Sequence, residues 1–237
     1  MKKLILFFLL LPALCFGQQN NVLISFVGSS DECADYLVCQ NFEGVGYDNS
    51  ETWTESSIDG GSPTINEDYT GTVLRGTESL LIVGDDYKYG RSGPTFTGQS
   101  DLYTHFMYRA EDLTTNNNTF IFFITDSSDN ELAKIQFRTN GQIYFVSGGQ
   151  TDFSVTTIVA DTTYHIWVDY HKGTGADSSA EIYFGTTATK PGVASGSVTG
   201  GNATADAAKV FCQATWDINN YFDQVLAKST EFSSVPE

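Results

Sequence analysis

The chain has 237 residues, a formal net charge of −17 at pH 7, and 14% aromatic residues. Such an excess of acidic residues argues against binding nucleic acid, whose phosphates require a positive protein surface. It argues equally against binding an anionic membrane surface, whereas it suits a protein that stays soluble by its charge.

Residues 1–17 have the features of a secretory signal peptide. Two lysines precede an apolar run over 4–14, which is followed by small residues at Cys15 and Gly17. The run is shorter than the roughly 20 residues that a membrane-spanning helix needs. The pattern predicts cleavage after Gly17 and a secreted or cell-surface protein without a membrane span. A lipoprotein anchor at Cys15 is the alternative, although the residues before this cysteine fit it poorly.

Three cysteines follow the signal peptide, at positions 33, 39 and 212. An oxidising compartment favours a disulfide between two of them. A Cys33–Cys39 bond would close a short loop, and a Cys39–Cys212 bond would join the first strand to one near the end of the chain. The sequence does not choose between these pairings, and the short loop is the one we predict.

Short runs of β-branched and aromatic residues, separated by Gly, Asn, Asp, Ser and Thr, predict strands along the rest of the chain. Asn140 and Gly141 stand between two such runs, which is typical of a tight hairpin. Residues 45–70 and 187–208 are rich in small polar residues and are predicted to be long surface loops. The predicted strands are 38–43, 79–83, 102–109, 119–125, 131–138, 142–147, 153–159, 163–171, 180–186, 209–214 and 220–227. Many strands at short spacing indicate an all-β, antiparallel sandwich or barrel.

The predicted strand over 163–171 alternates most clearly between an apolar and a polar face. A strand of a sandwich buries one face and leaves the other to solvent. The face predicted to be buried carries Tyr164, Ile166, Val168 and Tyr170. The face predicted to meet solvent carries His165, Trp167, Asp169 and His171.

Other strands show the same division, and if they are neighbours one sheet collects their polar faces. Aromatic rings stack on the C–H faces of pyranose sugars, and planar polar groups pair with hydroxyls. We therefore predict a glycan-binding surface, whose alternative is that Trp167 is simply packed under one of the loops. The candidate ligand-binding residues are His105, Gln136, Arg138, His165, Trp167, Asp169, His171 and Tyr183.

The order of several segments resembles the concanavalin A-like lectin/glucanase superfamily, and in particular its LamG-like jelly-roll domains. The resemblance implies one jelly-roll domain over 37–237, preceded by an N-terminal segment over 18–36. It also implies that the first and last strands are adjacent and that one concave sheet meets glycans. The segments are NFEGVGYDNSETWTE (41–55), ESLLIVG (78–84), DLYTHFMYRA (101–110), ELAKIQFRTNGQIYFVSGG (131–149), TTYHIWVDYHKGTG (162–175) and YFDQVLA (221–227).

The same resemblance implies a structural calcium ion between the first and last strands. Glu43 and Asp223 stand at the matching positions, and carboxylates are the ligands that calcium prefers. A second acidic stretch carries Asp126, Asp129 and Glu131. It does not fit an EF-hand loop, and we predict a plain polar turn there, with a metal site as the alternative.

Catalytic patterns of the superfamily are missing from the sequence. Its glucanases carry an E-x-D-x-E or E-x-D-x-x-E motif on one strand. Its alginate lyases carry a Gln-Ile-His strand together with an Arg and a Tyr. The chain has neither run, and His165, Tyr183 and Arg138 are only a loose lyase-like set.

The sequence therefore predicts a secreted, non-catalytic carbohydrate-binding or adhesion module. The first alternative is a structural surface or self-assembling protein that uses the fold as a scaffold. The second is a glycoside hydrolase or polysaccharide lyase.

Overall fold

In the computed structural model, the described residues are 33–42, 53–58, 62–85, 89–113, 119–138, 141–215, 218–232 and 235. Their regular structure consists of strands, and no helix among them is long and apolar enough to cross a membrane. The strands are β1 (Val38–Gln40), β2 (Thr54–Ile58), β3 (Thr64–Tyr69), β4 (Ser79–Val83), β5 (Tyr89–Gly93), β6 (Thr95–Gln99), β7 (Asp101–Ala110), β8 (Thr119–Thr125), β9 (Glu131–Phe137), β10 (Gln142–Ser147), β11 (Gln150–Thr157), β12 (Tyr164–His171), β13 (Ser178–Gly185), β14 (Gly196–Gly201), β15 (Ala207–Thr215) and β16 (Asn219–Lys228).

The strands form two antiparallel sheets, as the strand pattern predicts. Sheet A has the order β14-β13-β12-β7-β16-β4-β3, and β1 pairs with β16. Sheet B has the order β11-β10-β9-β8-β15-β5-β2, and β6 pairs with β15. The first and last strands are adjacent, with Val38 opposite Ala227. The all-β, jelly-roll sandwich is thus confirmed.

The central core lies between the sheets and is built from one face of each alternating strand. From β12 it receives the four residues predicted to be buried, and from β9 it receives Ala133, Ile135 and Phe137. Phe106 of sheet A stacks on Phe122 of sheet B with ring centroids 4.4 Å apart. Burial of each such side chain contributes roughly 1.5–3 kcal/mol, so these residues hold the two sheets together.

The predicted hairpin between β9 and β10 is confirmed. Phe137 pairs with Ile143, and the Gly141 N–H donates to the Arg138 carbonyl at 2.8 Å. Gly141 has a φ of +75°, and a Cβ there would lie 2.3 Å from the Ile158 carbonyl oxygen. Only glycine suits this position, because it combines a left-handed backbone with a close contact.

The two long loops predicted over 45–70 and 187–208 are wrong, because each range contains strands. The first contains β2 and β3, and the second contains β14. All three lie at the edges of their sheets. An edge strand is held by hydrogen bonds from one neighbour and needs little apolar alternation. A strand made of small polar residues therefore cannot be recognised from the sequence pattern. The missed strands β5 and β6 are also short and rich in polar residues.

The predicted Cys33–Cys39 disulfide is confirmed, with the two Cα atoms 5.7 Å apart. Cys212 is a buried free thiol. Successive residues of a strand point to opposite faces: Val38 enters the central core, and Cys39 lies on the other side of sheet A. Cys212 also faces the central core. Sheet A therefore separates Cys39 from Cys212, which excludes the longer pairing.

Candidate functional site

The outer face of sheet A, where the sequence places the ligand, is covered by protein. Trp167 is 0% exposed and belongs to a second apolar cluster. The cluster joins β12 and β13 to the disulfide loop and to the segment that follows β16. Its buried members are Cys33, Cys39, Trp167, Tyr183, Leu226, Phe232 and Val235.

The predicted solvent exposure is accordingly wrong for five of the candidate residues, which are buried. They are His105, Gln136, Trp167, Asp169 and Tyr183. Alternation along a strand shows which residues share a face, but it does not show what packs against that face. Here apolar residues after the last strand, Phe232 and Val235, close over the tryptophan.

His105 and His165 form a stacked pair beneath this cover. His105 Nε2 lies 3.0 Å from His165 Nδ1, and the His105 ring centroid is 5.0 Å from that of Trp167. Burial lowers the pKa of His105 well below its usual value, and the neighbouring His165 adds to this. Burial also lowers the pKa of His165, with a further contribution from Arg75. Both imidazoles are therefore neutral at pH 7.

The buried histidine predicts acid sensitivity. Below about pH 6.5, the unfolded chain takes up a proton that folded His105 does not, so stability is complete above that pH and falls as the pH decreases. We expect His105 to contribute a slope of about 1.4 kcal/mol per pH unit between pH 6 and 5. Urea unfolding of wild type and His105→Gln at pH 7, 6 and 5 measures it.

His171→Gln is the matched control, because His171 is 36% exposed and contacts Asp101 at 2.7 Å. His105→Gln should flatten the slope over this range, and by more than His171→Gln does. An unchanged slope in His105→Gln would contradict the assignment of a neutral buried imidazole.

A buried ion pair holds the segments that cover this face. Lys190 Nζ lies 2.5 Å from Asp169 Oδ2, with side chains 8% and 4% exposed. Burial raises the pKa of Asp169, and the Lys190 hydrogen bond opposes this rise. Lys190 also contacts Glu231 at 3.1 Å and lies 4.2 Å above the Tyr183 ring. Asp169 thus holds protein segments together on this face.

Breaking this ion pair should be costly. Lys190→Met leaves Asp169 buried without its partner, so we expect about 3 kcal/mol of lost stability at pH 7. Lys172→Met removes the exposed pair with Asp206 and should cost less than about 1 kcal/mol. Denaturant titration compares the two. Equal effects would show that the buried pair is not special, and the double variant Asp169→Leu with Lys190→Met should recover most of the loss.

The remaining candidate residues are divided between the two sheets. Gln136 belongs to β9 and Arg138 follows it directly, so both are in sheet B, whereas β12 is in sheet A. The prediction that one sheet collects all the polar faces is wrong. The lyase-like set of His165, Tyr183 and Arg138 is likewise not assembled, because its members lie on different sheets.

Asp223 is fully buried and bonded to protein donors. Its Oδ2 accepts from the Arg75 N–H at 3.0 Å and the Ser79 hydroxyl at 2.8 Å, and its Oδ1 accepts from the Gln224 N–H at 2.7 Å. These bonds account for its burial. Glu43 lies outside the described residues, so the calcium site stays a prediction.

The acidic stretch over 126–131 forms a polar turn. Asp126 Oδ1 accepts from the N–H groups of Ser128 at 2.8 Å and Asn130 at 2.9 Å. In the described part of the chain, no group of three or more His, Cys, Asp or Glu residues is arranged to hold a metal ion.

The outer face of sheet B has a different character, because it combines cations, rings and amides. In β15, Val210, Cys212 and Ala214 enter the central core, so Lys209, Phe211 and Gln213 point outward. Their neighbours across the sheet continue the face. Gln213 pairs with Arg91, Phe211 with Phe123, Phe123 with Lys134, Phe120 with Gln136, and Gln136 with Tyr144.

The cations on this face lie over aromatic rings. The Arg91 guanidinium is 4.3 Å from the Phe211 centroid, and the Lys134 ammonium is 4.8 Å from that of Phe120. Arg138 lies 4.8 Å from the Tyr144 centroid. Such contacts are attractive, and they offset part of the conformational entropy that long side chains lose on being ordered. The face thus carries positive groups in supported positions.

A pocket of about 110 Å³ opens on this face. It is lined by Tyr89, Arg91, Phe120, Phe123, Thr125, Asp129, Glu131 and Gln213. Asp129 Oδ1 lies 3.0 Å from Lys209 Nζ and 4.0 Å from an Arg91 nitrogen. Glu131 contacts Lys134 at 2.6 Å. The pocket is a small concave site lined by both aromatic rings and polar groups.

Sequence reasoning identified Gln136 and Arg138, which the structure places on this face, but missed its other members. The alternation of Lys209, Phe211 and Gln213 within a predicted strand was a readable signal. Arg91 was not readable, since its strand was not predicted. Nothing in the sequence indicated that Asp129, which lies in a turn, is close to these residues.

No protein-family model matches the chain, and no curated protein matches it either. Among solved structures, it is similar to an endo-β-1,4-glucuronan lyase from Trichoderma reesei, with TM-score 0.58 and 12% identity over 82% of this chain and 96% of the lyase. It is also similar to the cellulose-induced protein Cip1, with TM-score 0.54 and 18% identity over 83% and 99%.

An alginate lyase from Aplysia kurodai matches with TM-score 0.53 and 10% identity, over 82% of this chain and 97% of the lyase. At such identities the likeness shows the fold alone. The chain is a jelly-roll β-sandwich of the kind found in these proteins, and its function has to be argued from its own site.

Proposed function

We propose that the protein is a secreted carbohydrate-binding module of the concanavalin A-like kind, which holds its glycan on the outer face of sheet B. The observation that carries the proposal is the pocket between Tyr89, Arg91 and Gln213, on a face of rings and planar polar groups. The half-buried rings of Tyr89 and Phe120 suit stacking on sugar C–H faces, and the half-buried Arg91 guanidinium suits paired hydroxyls.

Three further points support this proposal. The fold is shared with two proteins whose names state an action on polysaccharides. The disulfide between Cys33 and Cys39 fits an oxidising, extracellular setting. The predicted signal peptide over 1–17 gives the route of export.

A role without catalysis is favoured by the state of the ionisable groups. The carboxylates that line the pocket, Asp129 and Glu131, are both paired with cations. The three histidines belong to sheet A, and His105 is buried. A hydrolase needs two carboxylates set across a bound sugar, one of them as an acid.

A polysaccharide lyase is the second candidate, and one arrangement favours it. Tyr144 lies under Arg138 and opposite Gln136, so a phenol stands beside groups that can neutralise a uronate. In a lyase, a base takes the proton next to the carboxylate, and the bond to the leaving oxygen breaks with formation of a C=C double bond. Ultraviolet absorbance of unsaturated products separates this candidate from simple binding.

The glycan site is tested by binding of residues 18–237 to a panel of neutral and acidic polysaccharides. Tyr89→Ala removes a wall of the pocket, and we expect it to weaken binding by about tenfold or more. Val193→Ala is the control, because Val193 is 81% exposed and lies outside that pocket. Thermal unfolding must show that both variants remain folded.

Two outcomes would contradict this assignment. Binding that survives Tyr89→Ala at full strength would place the ligand elsewhere. The absence of binding to the whole panel would favour the scaffold alternative, in which copies of the protein assemble, and sedimentation would then test self-association.

We also propose that Glu43 and Asp223 hold a calcium ion. A cation that binds only the folded state raises the melting temperature with its concentration, so EDTA should lower it. Glu43→Gln should abolish the calcium dependence and leave stability in EDTA unchanged. Asp223→Asn should also destabilise the protein in EDTA, because Asp223 accepts bonds from Arg75 and Ser79. Equal melting temperatures in calcium and in EDTA would refute the site.

A further inference from the structure

We infer that the glycan is a polyanion, one of whose acidic groups takes the position that the Asp129 carboxylate occupies between Lys209 and Arg91. The inference deepens the proposed function and rests on it. It names the chemical class of the ligand, a polysaccharide with carboxylate or sulfate groups, and the residues that select it.

The distribution of charge is the first argument. After residue 17 the chain has ten lysines and arginines against 29 acidic residues. Four of those ten, Arg91, Lys134, Arg138 and Lys209, are on or beside the outer face of sheet B. In a protein with a net negative charge, these four cations, partly balanced by Asp129 and Glu131, are the groups on this face that can attract an acidic chain.

The second argument is that the protein itself places a carboxylate at this point. Asp129 Oδ1 contacts Lys209 at 3.0 Å and lies 4.0 Å from Arg91. Its side chain is 45% exposed, and those of Lys209 and Arg91 are 17% and 20% exposed. Asp129 is the exposed partner of both pairs, so water solvates its carboxylate well when it leaves the two cations. A ligand that brings several acidic groups can therefore displace Asp129.

The third argument is that the turn is built to deliver this carboxylate. Asp126 accepts hydrogen bonds from Ser128 and Asn130, and the Asp129 N–H donates to the Asp126 carbonyl at 3.2 Å. Asp129 has a φ of 65°, a left-handed conformation that Asp and Asn tolerate better than most residues. The turn thus holds an internal carboxylate over the sheet.

Asp129 then acts as an internal competitor. It repels each acidic group that approaches Lys209, so a polysaccharide with isolated charges gains little binding free energy there. A densely charged chain gains more, because Arg138 and Lys134 lie further along the same face. A neutral chain gains nothing from displacing it. The consequence is selection for closely spaced acidic groups, with affinity that falls as salt increases.

The test compares wild type with Asp129→Asn on three immobilised polymers: polygalacturonate as carboxylated, dextran sulfate as sulfated, and dextran as neutral. Asparagine keeps the left-handed conformation and removes the competing charge. We expect affinity for one or both anionic polymers to rise by about threefold to tenfold, and binding to dextran to stay unchanged. The polymer that responds identifies the acidic group.

Asp161→Asn is the matched control. Asp161 also has a left-handed φ, 59°, and its Oδ1 also contacts an arginine, Arg109, at 3.0 Å. It removes the same charge on the other sheet, so it measures the effect of net charge alone. Lys209→Met supplies the opposite change and should weaken binding to the anionic polymers.

The outcomes separate the two proposals. The inference is overturned if Asp129→Asn raises the affinity for the anionic polymers no more than Asp161→Asn does. It is also overturned if the protein binds dextran in preference to them. The proposed function stands in both cases. Failure of the wild type and every variant to bind any of the three polymers overturns the inference, and the wider polysaccharide panel then decides the proposed function. A gain confined to Asp129→Asn and lost at high salt supports the inference.

Discussion

The structure depends on the burial of sheet A on both of its faces. Strands β7 and β12 contact the central core with one set of side chains and the cluster around Trp167 with the other. Because both faces of sheet A are buried, another part of the chain has to cover its outer face. The disulfide loop and the segment after β16 form this cover. The buried ion pair between Asp169 and Lys190 and the neutral histidine pair belong to this layer. The outer face of sheet B carries partly exposed cations instead, among them Arg91, Lys134 and Lys209.

The outer faces of the two sheets carry similar residues in different environments. Each has a ring beside a lysine and a carboxylate: Tyr183, Lys190 and Asp169 on sheet A, and Phe120, Lys134 and Glu131 on or above sheet B. On sheet A the charges are buried, so their partners are fixed by the cost of leaving a charge unpaired. On sheet B they are partly hydrated, and their partners can be exchanged. Exchangeable partners are what a binding surface requires.

Much of the sandwich was predictable, because apolar alternation marks strands that have a core beneath them. The residues that β12 sends inward were identified from the sequence. The edge strands were not, because hydrogen bonds to one neighbour need no such pattern. The site was only partly accessible for a related reason. Gln136 and Arg138 were identified, but sheet membership depends on pairings such as that of Gln213 with Arg91, which link distant parts of the chain.

The position of β16 has a consequence for how the protein is made. This strand, the last of those described, lies inside sheet A between β7 and β4, and β1 pairs with its second half. Sheet A is therefore split in two until residues 219–228 have been synthesised. The earlier strands lack their central neighbour until then, which favours slow folding that is completed late. The disulfide loop, closed by residues only six apart, is the one covalent step that can precede it.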